Sequence, residues 1–177
     1  MTKLTRCFIA IDLPEEIRDE IVKLQKQLPE FNGKLTEKEN LHLTFKFLGE
    51  IPDEKVDEVK KALKKVKFKK FKAKLGDVGL FSPSFIKILW IKLENCDELQ
   101  QEIDNALEGL FKKEKGFMSH LTIARVKSVR DKKIFLHYFK KLKTNPLEFE
   151  VNEIHFKESK LTPEGPIYSN ILKKKLN

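Results

Sequence analysis

The tetrad His-Leu-Thr-apolar occurs twice in this chain, as His42-Leu43-Thr44-Phe45 and as His120-Leu121-Thr122-Ile123, 78 residues apart. Each copy reads as a strand, and side chains on a strand alternate faces. In the first copy, Leu41, Leu43, Phe45 and Phe47 point one way, and His42 and Thr44 point the other. In the second, Leu121 and Ile123 go to one face, while His120 and Thr122 go to the other beside the small Ala124. A strand built this way buries an apolar face and aims a proton carrier and a hydroxyl donor at one point. A single His-Leu-Thr is ordinarily a surface pair of no consequence. Here the chain holds only four histidines, and two of them share this context.

The rest of the chain is arranged around the two copies. Residues 8–13 form an apolar strand, and Asp12 and Pro14 mark the start of a helix in which Ile17, Ile21, Leu24 and Leu28 share a face. That helix ends over 29–33, and a charged loop leads into the first His-x-Thr strand, which closes at Gly49 and Pro52. Asp53 is placed to cap the next helix, with Val56, Val59, Leu63 and Val66 as its buried stripe. Residues 71–81 read as a strand broken near Gly76 and Gly79. After Ser82-Pro83-Ser84, the strand 85–93 begins the same order again. The second round carries the helical stripes Leu99, Ile103, Leu107, Leu110 and Ile134, Tyr138, Leu142, then a closing strand over 147–160. The expected fold is α+β, with two pseudo-symmetric sheet-and-helix lobes, each carrying one His-x-Thr strand facing a central groove. In domain terms this is one bilobal domain over 1–177, with approximate repeats at 6–81 and 85–160 and a further strand near 167–172.

A chain of 177 residues with 40% apolar content is large enough to bury such a core. Lys and Arg number 36 against 27 Asp and Glu, and the net charge of +9 favours polyanionic partners. Lysine supplies most of that charge and reads largely as solvated surface; the runs at 112–115 and 173–175 belong to it. The arginines are only Arg6, Arg18, Arg125 and Arg130, and two of them, Arg6 and Arg125, lie beside the candidate active strands, where a planar guanidinium can hold a phosphate through two bonds. No His-x-His, His-Glu-x-x-His or carboxylate cluster suggests a metal, and no Gly-x-x-x-x-Gly-Lys suggests nucleoside triphosphate use. His137 and His155 read as surface or core-edge residues. Cys7 and Cys96 are isolated, and no apolar run has the length of a signal core or a membrane span, so a cytoplasmic protein with reduced thiols, monomeric and without a membrane partner, is expected.

The opening Arg6-Cys7-Phe8-Ile9-Ala10-Ile11-Asp12-Leu13-Pro14, the stretch Asn40-Leu41-His42-Leu43-Thr44-Phe45-Lys46-Phe47-Leu48-Gly49-Glu50, and His120-Leu121-Thr122-Ile123 followed by Arg125 together resemble the two-histidine (2H) phosphoesterase superfamily. More closely, they are similar to the RNA 2',3'-cyclic phosphodiesterases, also called 2'-5' RNA ligases. The likeness spans nearly the whole chain and agrees with a bilobal fold. It implies hydrolysis of an RNA 2',3'-cyclic phosphate end, or of a small cyclic nucleotide, to a 2'-phosphate, without metal or cofactor. It also implies Arg125 as a phosphate clamp. Strict alternation from Thr122 sends Arg125 to the opposite face, so that role requires a bulge or a strand end. Opening a cyclic phosphodiester needs one proton taken from water and one given to the departing sugar oxygen, and two histidines near neutral pH do both. The expected roles are His42 as general acid, His120 as general base, and Thr44 and Thr122 as hydrogen-bond donors to the phosphate oxygens. Reversible 2'-5' joining of RNA ends and RNA-end binding without turnover are the alternatives.

Overall fold

The computed structural model describes residues 3–177. Its chain order is β1 (Leu4–Asp12), α1 (Glu15–Gln25), β2 (Asn32–Leu35), a 3-10 turn (Lys38–Asn40), β3 (His42–Pro52), α2 (Asp53–Lys64), β4 (Phe71–Leu80), β5 (Ile88–Glu94), α3 (Asp97–Ala106), β6 (His120–Ser128), α4 (Lys132–Phe139), β7 (Glu148–Val151), β8 (Glu153–Thr162) and β9 (Gly165–Lys175). Two antiparallel sheets result, one ordered β3-β1-β8-β9 and the other β2-β6-β5-β4-β7. The two histidine strands lie in different sheets, and each sheet mixes strands from both halves of the chain. Among the described residues no helix is long and apolar enough to cross a membrane.

The helices follow their apolar stripes. Ile17, Ile21 and Leu24 of α1 are buried, as are Val56, Val59, Leu63 and the following Val66 around α2. α2 packs against β1, β3 and β9, α3 against β3 and α2, and α1 against β6. In α4 the expected stripe is displaced by one position: Phe135 and Phe139 are buried, and Ile134 and Tyr138 are more than half exposed. The Asp131 carboxylate accepts from the Ile134 backbone N–H at 3.0 Å and caps the helix, while the two phenylalanines, larger than Ile134 and without the hydroxyl of Tyr138, take the core-facing positions. The cap expected at Asp53 does not exist. Pro14 and Pro52 precede α1 and α2 without a side-chain cap bond, so Asp53 acts only through the helix dipole, and Asp12 is engaged elsewhere.

Three strand assignments differ from the sequence reading. The closing segment is two strands: β7 joins β4 in the second sheet, and β8 joins β1 in the first. The buried apolar positions mark the switch, since they run Phe149 and Val151 on odd numbers and then Ile154 and Phe156 on even ones. The expected charged loop contains β2, whose residues are all exposed and which, among the described residues, pairs only with β6. It carries no apolar alternation for a pattern search to find. Finally, β5 starts at Ile88 rather than at Phe85, which is 67% exposed. The lysine run 173–175 lies on β9, an outer strand of its sheet, where charge discourages edge pairing with another chain.

Candidate active site

Both histidine strands carry a bulge at the same place relative to the histidine. Against β1, Asp12 pairs His42 and Ala10 pairs Thr44, then the register slips so that Ile9 pairs Lys46 and Phe8 pairs Phe47. Against β5, Lys92 pairs His120 and Trp90 pairs Thr122, then a slip leaves Leu89 opposite Ala124 and Ile88 opposite Arg125. One extra residue reverses the side-chain phase beyond it. Phe47 therefore leaves the buried face expected for it, is 50% exposed, and joins the lining of the cavity that holds the histidines. The same device carries Arg125 to that cavity. The two residues that follow the bulges, Phe47 and Arg125, are equivalent in position and different in chemistry.

The cavity, of about 510 Å³, lies between the sheets and is lined by His42, Thr44, His120, Thr122 and Arg125 together with Arg6, Phe8 and Tyr168. Both histidines are anchored alike. The Nδ1 of His42 is 2.7 Å from the carbonyl oxygen of Asn40, and that of His120 is 2.8 Å from the carbonyl oxygen of Met118. A carbonyl can only accept, so each Nδ1 carries a proton and each Nε2 is left for chemistry. Thr44 Oγ1 stands 3.0 Å from His42 Nε2. Two aromatic rings hold each imidazole: Phe8 and Tyr168 at 5.1 Å for His42, Phe81 at 5.0 Å and Trp90 at 6.4 Å for His120. Trp90 lies against Gly79, where an added Cβ would come within 2.1 Å of the indole. The Arg6 guanidinium stacks on Phe47 at 4.7 Å, an arrangement that keeps its planar face fixed while its N–H groups stay available.

A charged cluster lies on the same sheet as His42. Lys157 Nζ is 3.0 Å from Asp12 Oδ1, His155 Nδ1 is 2.7 Å from Asp12 Oδ2, and His155 Nε2 is 2.7 Å from Glu153 Oε1. His155 is thus buried between two carboxylates rather than at a core edge. Burial alone pushes it toward the neutral form, but its bonds to Asp12 and Glu153 outweigh that and raise its pKa. Burial likewise opposes the Asp12 carboxylate, yet the bonds from His155 and Lys157 hold it far below the usual carboxylate range. His42 is shifted the other way: burial lowers its pKa, the Asn40 carbonyl partly restores it, and the cations of Lys157 and Arg125 lower it against the help of Asp12. The sequence reading missed this cluster and the aromatic walls. Asp12 and Lys157 acquire meaning only from the register that sets β1 beside both β3 and β8. The thiols stand apart from the chemistry: burial pushes Cys7 up to about 11 and Cys96 up to about 12, and both are free.

A family model described as LigT like phosphoesterase matches this chain over residues 11–90 and 92–168. A Methanocaldococcus jannaschii protein named RNA 2',3'-cyclic phosphodiesterase is 43% identical over 171 residues, covering 94% of this chain and 98% of that one. A protein of the same name from Archaeoglobus fulgidus is 35% identical, covering 94% and 97%. Among solved structures, a Thermus thermophilus protein is similar with a TM-score of 0.80 at 27% identity, covering 96% of this chain and 97% of that one. Escherichia coli LigT in its apo form reaches 0.81 at 23% identity with 99% of both chains covered, a likeness of fold.

Proposed function

The chain belongs to the LigT like phosphoesterase family, and on that premise we propose that it hydrolyses RNA 2',3'-cyclic phosphate ends to 2'-phosphates, with His42 and His120 as the proton-transfer pair. The observation that carries this reading is the duplicated geometry: two Nδ1-anchored imidazoles, each with a threonine two residues on, line one cavity that also holds Arg6 and Arg125. His120 Nε2 takes a proton from water as the water oxygen bonds to phosphorus. The bond from phosphorus to the 3' oxygen breaks on the opposite side, and His42 Nε2 gives that oxygen its proton. Each such transfer is typically worth roughly 10² to 10⁴ in rate. Thr44 and Thr122 donate to the non-bridging oxygens, and Arg125 pairs with the phosphate. Within the protein's own charges, burial and two cations hold His42 toward neutrality; a bound phosphodiester brings a negative charge that favours the imidazolium, the form a general acid needs.

The two copies of the motif are, on this reading, an internal duplication over 6–81 and 85–160 within a single bilobal domain. It is supported by the matching pairings of Asp12 with His42 and Lys92 with His120, followed by matching bulges. One chain supplies both histidines, which supports action as a monomer, and its free buried thiols suit the cytoplasm. The test is an RNA oligonucleotide ending in a 2',3'-cyclic phosphate, incubated with the protein in excess chelator. The expected product is the 2'-phosphate, identified by phosphorus NMR. Binding without any product leaves only an RNA-end binding module, and activity that returns only with a divalent ion removes the two-histidine mechanism.

A further inference from the structure

Lys46 sits at the β3 bulge, two residues past Thr44, and its side chain is only 3% exposed. A lysine is almost never buried without a defined set of partners. Here the partners are Asp104 Oδ1 at 2.6 Å, the Lys112 carbonyl oxygen at 2.6 Å and Glu114 Oε1 at 3.4 Å, which use all three ammonium protons. The other Asp104 oxygen accepts from Gln100 Nε2 and from the Glu114 backbone N–H, both at 2.9 Å. The network joins the first histidine strand to α3 and to the segment 107–119 that leads into the second histidine strand.

The first residues of that segment are anchored by the buried Leu107, but the stretch beyond Phe111 has little else to hold it. The segment's backbone bonds are helix-end turns at Leu107, Glu108, Leu110 and Phe111 and one bond from Leu93 N–H to the Ser119 carbonyl. Between them, residues 112–118 are pinned by Lys46, by Asp104, by the bond from Lys113 to Asn105 and by Phe117 stacked on Phe45. Met118, inside this stretch, supplies the carbonyl that orients His120. Energy alone does not explain a buried ion pair, since apolar residues of similar volume commonly do as well or better. Direction does: short charged bonds from several groups fix where the segment lies. The equivalent position in the second copy is Ala124, so the tie runs one way only.

We infer that the Lys46–Asp104 pair is a positioning device which, through residues 112–118, sets the placement of His120 relative to His42. The inference rests on the proposed cyclic phosphodiesterase reading for its kinetic readout but not for its spectroscopic one. In Lys46→Met/Asp104→Asn no charge is left unpaired between the two positions, and the amide oxygen still accepts from the Glu114 N–H. This variant should melt within a few degrees of wild type and keep KM for a 2',3'-cyclic nucleotide within about twofold, while kcat falls at least about tenfold. In imidazole 15N NMR, the His120 Nδ1–H signal should shift or broaden, and that of His42 should stay. A second variant leaves the ion pair intact and inserts one glycine between Lys115 and Gly116, at the exposed Lys115; it should lose kcat and disturb His120 in the same way. Wild-type kcat with an unmoved His120 signal in either variant overturns the inference. A loss of nucleotide affinity equal to the fall in kcat does so too, because it marks a general loss of structure. Should wild type itself form no product, the functional reading fails while the two spectra still decide whether the network places His120.

Discussion

His42 is the residue whose environment is most specific. Lys157 faces it from β8, Asp12 from β1 and Arg125 from β6, and the balance of burial and charge lowers its pKa. Replacing Lys157 by Met removes a cation and also exposes more of the Asp12 charge, so both changes favour the imidazolium. The His42 pKa, below the ordinary value of about 6.5 in wild type, should then rise, as read from its Cε1–H shift in an NMR titration. An unchanged or lower value contradicts the electrostatic account. The roles of the two histidines separate by leaving group. If His42 protonates the 3' oxygen, His42→Ala should lose about 10² to 10⁴ in kcat/KM on a ribose leaving group and recover much of it with nitrophenolate, which needs no proton. His120→Ala should stay impaired on both, because water still has to be activated; rescue of His120→Ala alone reverses the assignment. Asp12 and His155 also tie stability to pH. The Asp12 carboxylate is held low, so its stabilising contribution is present above the unfolded value of about 3.9 and is lost as pH falls below it. The raised pKa of His155 works oppositely: its contribution is complete below about 6.5 and fades as pH climbs through the folded value. Stability should therefore be greatest between these limits, with Asp12→Asn flattening the acid side of a denaturation-versus-pH profile.

At the scale of elements, the bulges in β3 and β6 decide what the strands can do. Without a slip, the strands alternate strictly; Arg125 then faces away from Thr122, and Phe47 is buried. With it, the second strand delivers an arginine to the cavity and the first delivers a phenylalanine that carries Arg6. β4 contributes by what it lacks. Gly79 leaves room for the Trp90 indole, which with Phe81 walls His120. Gly79→Ala places a methyl group inside the ring's volume, and because the ring is rigid, the cost should be about 1–3 kcal/mol in urea denaturation. Trp90 is the only tryptophan, so its fluorescence should report the displacement directly, alongside a fall in kcat. Normal stability and an unchanged emission spectrum would show that the contact is not a constraint. The surface helix α4 shows the opposite case, where its apolar residues offer two adjacent stripes and only packing against the core decided that Phe135 and Phe139 are buried.

For the molecule as a whole, the +9 net charge makes a prediction about range. Binding of a cyclic-phosphate oligonucleotide should weaken steeply as salt rises, through counterion release, and a single cyclic nucleotide should be affected much less. Equal slopes in a plot of log affinity against log salt would mean that only the cavity, and none of the lysine-rich surface, grips RNA. The sequence by itself determined the two histidine strands, their threonines, most helices and the two-lobed α+β plan, because these rest on local periodicity and on a motif present in duplicate. Only the tertiary structure decided that β2 and β8 join the sheet of the opposite half, that Arg125 faces the cavity, and that Asp12, His155 and Lys157 gather beside His42. Each of these depends on register between strands far apart in the chain, and a one-residue slip moves a side chain to the other face at no local cost that a sequence pattern records.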